Sequence, residues 1–122
     1  MPGGPFISII DDDESMLSAI VGLVSSASYR VLGFSSAEEF LQYGMIQSFV
    51  CIITDIQMPG MSGIELKQHL AARQCQVPVI MITARHDRGL EERALASGAA
   101  CFLRKPFEAD DLIGCIERTL KT

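Results

Sequence analysis

Four groups of residues in this sequence are suited to holding or receiving a charged group. Asp11, Asp12 and Asp13 are consecutive acids placed directly after the apolar run Phe6–Ile10. Asp55 follows the run Phe49–Thr54, and Thr83 follows the run Val77–Ile82. Lys105, backed by Pro106, comes shortly after the run Ala100–Leu103. Carboxylates gathered at one place repel each other and are costly unless a cation joins them. A few carboxylate oxygens, with room left for water and substrate oxygens, suit Mg²⁺. Asp11, Asp12 and Asp55 in ionised form carry −3, and Mg²⁺ with Lys105 supplies +3. Such a site is neutral before any phosphoryl group arrives. A phosphate-like ligand would then be met by Lys105, the metal, the Thr83 hydroxyl and loop N–H groups.

These residues act together only if the ends of their runs are brought to one place. The runs Phe6–Ile10, Arg30–Phe34, Phe49–Thr54, Val77–Ile82 and Ala100–Leu103 are short and rich in apolar and β-branched residues. Several are almost continuously apolar, as strands buried on both faces of a parallel sheet should be. Helical patterns lie between them, at about 14–27, 36–45, 63–73, 87–97 and 108–121. The first carries Leu17, Ile20, Val21 and Val24 at helical spacing, and the last Leu112, Ile113, Ile116 and Leu120. Both stripes are read as core-facing surfaces. Ser36 with Glu39, and Ser62 with Glu65, fit the capping-box pattern. Asp13 fits an N-cap for the first helix better than a metal ligand. Gly98 stands where a left-handed helix cap needs glycine.

Five strand-then-helix repeats build a single doubly wound α/β domain over residues 1–122, a five-stranded parallel sheet. Ligands of such sheets sit at the carboxyl ends of the strands, near the topological switch point. In the flavodoxin-like order 2-1-3-4-5, the first and third strands are neighbours, so Asp11, Asp12 and Asp55 converge.

Composition narrows the classes of function. Across 122 residues the net charge is −5, which argues against this domain gripping nucleic acid by itself. No apolar stretch is long enough to span a bilayer. Met1-Pro2-Gly3-Gly4-Pro5 lacks the features of a signal peptide, so a cytoplasmic location is expected. Residues 1–66 hold eight acids against one base, while residues 67–122 hold seven acids against nine bases. That asymmetry suggests a local site. Cys51, Cys75, Cys101 and Cys115 form no CxxC pair, which argues against zinc or a disulfide framework. Cys51 and Cys101 are expected to act as small buried hydrophobes. His69 and His86 are read as surface residues.

Asp11-Asp12, Asp55 with Met58-Pro59-Gly60-Met61-Ser62-Gly63, Thr83-Ala84 and Lys105-Pro106-Phe107 together resemble the signature set of response-regulator receiver domains. The resemblance covers Phe6 to Leu120, and each motif is weak alone but strong in this order. Ser36-Ala37-Glu38-Glu39-Phe40-Leu41, Ile64-Glu65-Leu66 and Gly98-Ala99-Ala100-Cys101-Phe102-Leu103 are most similar to the FixJ-like subgroup, whose receivers usually precede a helix-turn-helix output domain.

The resemblance implies specific roles. Asp55 is expected to accept a phosphoryl group from a phosphohistidine on a sensor histidine kinase. Asp12 and Asp55 are expected to ligate Mg²⁺ through carboxylates, Gln57 through its backbone carbonyl, and Asp11 to hold a metal-bound water. Thr83 and Lys105 would bind phosphoryl oxygens. Phe102 takes the switch-aromatic position, although a core aromatic looks the same in sequence. The face of the fourth helix, fifth strand and fifth helix is the expected partner surface, with a phosphorylation-dependent homodimer as one outcome. The chain reads either as a stand-alone receiver acting through protein contacts or as part of a longer transcriptional regulator with a DNA-binding output domain. Beyond its own phosphorylation and dephosphorylation, no enzymatic turnover is expected.

Other classes fit less well. A phosphatase of the haloacid-dehalogenase type needs its nucleophile after the first strand and a following Gly-Thr, where this chain has Glu14-Ser15. An FMN carrier needs a hydroxyl-rich phosphate loop, but here the loop after the first strand is acidic. A receiver-like protein that binds partners without phosphorylation would not need the full residue set.

Overall fold

A computed structural model describes residues 6–121; Met1–Pro5 and Thr122, including the N-terminal segment discussed above, lie outside them. The elements are β1 (Phe6–Ile10), α1 (Glu14–Ser26), β2 (Arg30–Phe34), α2 (Ala37–Tyr43), β3 (Phe49–Asp55), α3 (Gly63–Ala72), β4 (Val79–Thr83), α4 (Arg88–Ala96), β5 (Cys101–Arg104) and α5 (Ala109–Leu120). A short 3₁₀ turn at Ile46–Ser48 precedes β3 and has no counterpart in the sequence reading. All strand pairings are parallel, and the sheet order is β2-β1-β3-β4-β5. This is the doubly wound, flavodoxin-like architecture expected from the alternation of runs.

Alternation along each strand sorts the apolar side chains onto two faces. Ile7, Ile9, Cys51, Ile53, Ile80 and Ile82 pack with Ile20 and Val24 of α1 and with Leu112, Cys115 and Ile116 of α5. Ile52, Val79 and Met81 pack on the other face with Phe40 of α2, Leu66 and Leu70 of α3, and Leu90 and Ala94 of α4. Burying each such isoleucine or leucine contributes roughly 1.5–3 kcal/mol. Every residue of β4 is buried, in keeping with the apolar run Val79–Ile82 that precedes Thr83.

Element ends depart from the sequence reading for local reasons. β4 begins at Val79 rather than Val77, because Pro78 has no N–H to give the ladder; its carbonyl accepts the Ile52 N–H at 2.9 Å. α2 stops at Tyr43, with Gly44 left-handed at φ 83°. Asp13 caps α1 as expected, accepting the Ser15 and Met16 N–H groups. Ser62 and Glu65 complete a reciprocal capping box. Ser36 accepts the Glu39 N–H, but the Glu39 carboxylate takes the N–H of Ser35 instead of returning to Ser36. That box is therefore half of the expected one. Gly98 has φ 101°, as its position after α4 requires.

The expectation for the cysteines needs correction. Cys51 is fully buried and unpaired, but Cys101 is only half-buried and is joined to Cys115 in a disulfide. The packing of α5 against β5 brings their Cα atoms to 6.2 Å, inside the range a disulfide spans. His86 is exposed as expected, whereas His69 is partly covered.

Candidate functional site

The acidic residues meet at the carboxyl edge of the sheet because of strand register. Ile10, the last residue of β1, is aligned with Thr54, so Asp11 and Asp55 leave adjacent strands at the same level. Asp55 is in turn aligned with Ile82, and Thr83 with Arg104. Carboxylate oxygens of Asp11, Asp12 and Asp55 all lie within 4.8 Å of one another. Lys105 reaches into this group from the loop after β5. Its Nζ is 3.2 Å from Asp11 Oδ2 and 3.7 Å from Asp55 Oδ2.

The three acids differ in setting. Asp11 is buried, and its Oδ1 accepts the Asp13 N–H at 2.9 Å. Asp12 is exposed. Asp55 is partly buried, and its Oδ1 accepts the Ile56 N–H at 3.0 Å. Burial pushes the Asp55 carboxyl up to about 6. Lys105 pulls against that rise, the charge of Asp11 adds to it, the Ile56 N–H opposes it, and Asp12 adds a smaller push. The donor set is entirely hard oxygen, with two acids partly or fully open to solvent. It fits a small divalent cation such as Mg²⁺.

The loop after Asp55 is fastened at two points. Glu38 of α2 accepts the Met61 N–H through Oε2 at 2.9 Å. Gly63, the first residue of α3, donates its N–H to the Ile56 carbonyl at 2.9 Å. A β-carbon at Gly63 would stand 2.5 Å from the Asp55 carbonyl oxygen. Glycine here therefore lets α3 start directly against the residue that carries the central acid.

Thr83 is fully buried at the end of β4. Its hydroxyl donates to the side-chain Oε1 of Gln57 at 2.6 Å and accepts the Arg85 N–H at 3.0 Å. The resemblance implies a role for the Gln57 backbone carbonyl, whereas this side-chain contact leaves no mark in the sequence. Phe102 is half-buried against the core on the α2, α3 and α4 side, with the Arg104 guanidinium 5.3 Å from its ring centre. Arg104 also pairs with Glu91 of α4 at 3.1 Å. In sequence Glu38 stands out only as part of the FixJ-like stretch and Glu91 not at all, since both pair with residues that only the fold brings near.

Fold and site together define a flavodoxin-like α/β protein whose acidic edge is crossed by a single lysine. A family model, the response regulator receiver domain, matches residues 7–117, and the chain belongs to that family. It is 40% identical over 115 residues to the response regulator protein TmoT of Ectopseudomonas mendocina, covering 94% of this chain and 52% of that protein. It is 38% identical over 115 residues to the transcriptional regulatory protein FixJ of Bradyrhizobium diazoefficiens, covering 94% of this chain and 56% of that one. The crystal structure of FixJ-N matches with a TM-score of 0.88 at 32% identity, over 96% of this chain and 94% of the other. Response regulator StyR matches with a TM-score of 0.88 at 38% identity, over 96% of this chain and 59% of the other. The chain spans about half the length of the curated relatives it matches. Among the described residues no helix is long and apolar enough to cross a membrane.

Proposed function

We propose that residues 1–122 form one receiver domain and that Asp55 is its phosphoryl acceptor. The observation that carries this reading is Lys105 Nζ lying between the carboxylates of Asp11 and Asp55. A cation held at that point is placed to meet the oxygens of a group attached to Asp55. With its carboxyl pushed up to about 6, Asp55 is mostly ionised at neutral pH and available as a nucleophile. Its oxygen attacks the phosphorus of a phosphohistidine on a sensor histidine kinase. The new O–P bond forms as the N–P bond breaks, and the electron pair returns to the imidazole nitrogen. Lys105 and the Thr83 hydroxyl then bind phosphoryl oxygens. Asp12 and Asp55 through carboxylates, Gln57 through its backbone carbonyl, and Asp11 by way of a water would hold Mg²⁺. When bound, the ion supplies positive charge that offsets the clustered carboxylates and the incoming phosphoryl group.

The acyl phosphate then biases a surface. Thr83 turns from Gln57 to the phosphoryl oxygen, and Phe102 turns inward beside β4. The face of α4, β5 and α5 changes accordingly, provided the phosphorylated form favours one arrangement. Partners that suit this reading are the kinase, a DNA-binding output domain linked to the receiver, and a second phosphorylated copy. A cytoplasmic location goes with that set. The domain turns over no external substrate beyond its own phosphorylation and dephosphorylation.

The test is incubation with acetyl phosphate and Mg²⁺, followed by intact mass measurement. One phosphoryl group should add to the wild type and none to Asp55→Asn. Equal labelling of the two refutes the acceptor assignment, and steady hydrolysis of a phosphomonoester would point to a phosphatase instead.

A further inference from the structure

The cysteines divide sharply by setting. Cys51 and Cys75 are buried and unpaired, and burial alone pushes the Cys51 thiol up to about 12. Cys51 is therefore a poor nucleophile. Cys101, the first residue of β5, is half-buried and bonded to Cys115 on α5. Arg118, one turn further along α5 and exposed, places its Nη2 3.5 Å from Cys115 Sγ and 4.0 Å from Cys101 Sγ. A β-carbon at Gly114 would stand 3.3 Å from Arg118 Nη1, so the guanidinium lies close over this part of α5. A cavity of about 600 Å³ opens onto the pair, lined by Val50, Pro78 and Leu120 together with both cysteines and Arg118. It lies by the amino-terminal end of β5, whereas Lys105 and the acidic residues lie beyond its carboxyl end.

A guanidinium beside two sulfurs favours the thiolate form, which is the nucleophile in thiol–disulfide exchange. Both cysteines line the cavity, and Cys101 is the less buried of the two. We propose that Cys101 and Cys115 form a reversible thiol–disulfide site, served by Arg118 and entered through this cavity by a small-molecule disulfide. In the oxidising direction, the Cys101 thiolate attacks one sulfur of that disulfide. A mixed disulfide forms and one thiolate leaves. The Cys115 thiolate then attacks the Cys101 sulfur, the protein disulfide closes, and the second thiolate leaves. Two electrons pass to the small molecule, which ends as two thiols carrying the two protons that the cysteines lost. Where a cell keeps most thiols reduced, such a pair acts by cycling rather than as a permanent staple.

The experiment reads thiols in this chain directly. The protein is reduced with dithiothreitol, freed of reductant, exposed under native conditions to oxidised glutathione, then denatured and alkylated. The reduced chain should carry four alkyl groups, one for each of its four cysteines. The re-oxidised chain should carry two, on Cys51 and Cys75, with a Cys101–Cys115 crosslink in the peptide map. Cys115→Ser should stop at a glutathione adduct on Cys101. Cys101→Ser, changed at the less buried position, should form neither adduct nor crosslink. Arg118→Gln should close the bond several-fold more slowly. Four alkylated cysteines after oxidation, an adduct on Cys51 or Cys75, or an unchanged rate in Arg118→Gln would overturn the proposal.

Discussion

The Thr83 hydroxyl is held by Gln57, donating to its side-chain oxygen across 2.6 Å while taking the N–H of Arg85 from the other side. Both bonds must be reckoned with if Thr83 is to serve a ligand on Asp55. In Gln57→Ala the buried hydroxyl loses its acceptor, which should cost about 1 kcal/mol of stability without ligand. The same change releases Thr83, so a beryllium fluoride phosphate mimic should bind several-fold more tightly. Paired melting curves and titrations check both signs; weaker binding in Gln57→Ala would show that Gln57 assists the ligand-bound form instead.

Asp55 makes metal-free stability depend on pH. Burial raises its folded-state value from 3.8 to about 6. Below 3.8 both states carry the proton and nothing is lost. Between that value and about 6 the unfolded chain ionises first, so folding stability falls as pH rises and then levels off. Asp55→Asn should remove this dependence and stabilise the metal-free protein at pH 7 by roughly 1–3 kcal/mol, towards the lower end where solvent screens the site. Urea titrations at pH 4 and pH 7 in a chelator measure the difference.

Asp12 is the exposed member of the trio and contributes little to the core. Asp12→Ala should keep the fold and lose Mg²⁺ affinity by roughly tenfold or more, at least as much as losing a supporting residue costs. Removing one of the crowded charges should also hold or raise the melting temperature without metal. Isothermal titration with Mg²⁺ and a thermal melt in chelator test the two halves separately.

Lys105 is the only cation among the described residues that ion-pairs with the acidic trio. Lys105→Ala leaves Asp11 buried without its charge partner. The expected loss is roughly 2 kcal/mol at neutral pH, short of a fully enclosed pair because the site opens to solvent. Added Mg²⁺ should restore part of that loss, which a melt with and without the ion would register.

Gly63→Ala tests how closely α3 is seated. Its new methyl group would fall 2.5 Å from the Asp55 carbonyl and 3.1 Å from Thr54 Cγ2. Backbone cannot yield as a side chain does, so the change should cost about 1–3 kcal/mol. Gly22→Ala, where nothing lies within 4 Å of the added carbon, is the control and should not destabilise. Chemical denaturation of the two variants compares them.

The sheet was readable because its signals are local. Apolar runs mark the strands, and the acids that end them need no partner to be recognised. The position of Asp55 follows from the end of β3, and the Asp13 cap from a residue type at a helix start. Contacts that join distant segments left no such mark. Glu38 and Met61 are 23 residues apart, and Thr83 and Gln57 are 26 apart. Cys101 and Cys115 are separated by 14 residues with no motif between them, so only the seating of α5 on β5 reveals the bond. Ser35 competing with Ser36 for Glu39 is subtler still, since both readings satisfy the same four-residue pattern.

β4 is enclosed on both faces and flanked by paired strands on both edges. Close-packed interiors compress little, so this strand resembles a rod in a sleeve. A pull on Thr83 at its tip finds no slack to absorb it. In the proposed switch the displacement would pass sideways, to Phe102 and Arg104 of β5, which are aligned with Met81 and Thr83 of β4. Arg104 in turn grips Glu91 on α4. Under the proposed function, the stiffness of one strand would set the direction in which a chemical event at the acidic edge travels.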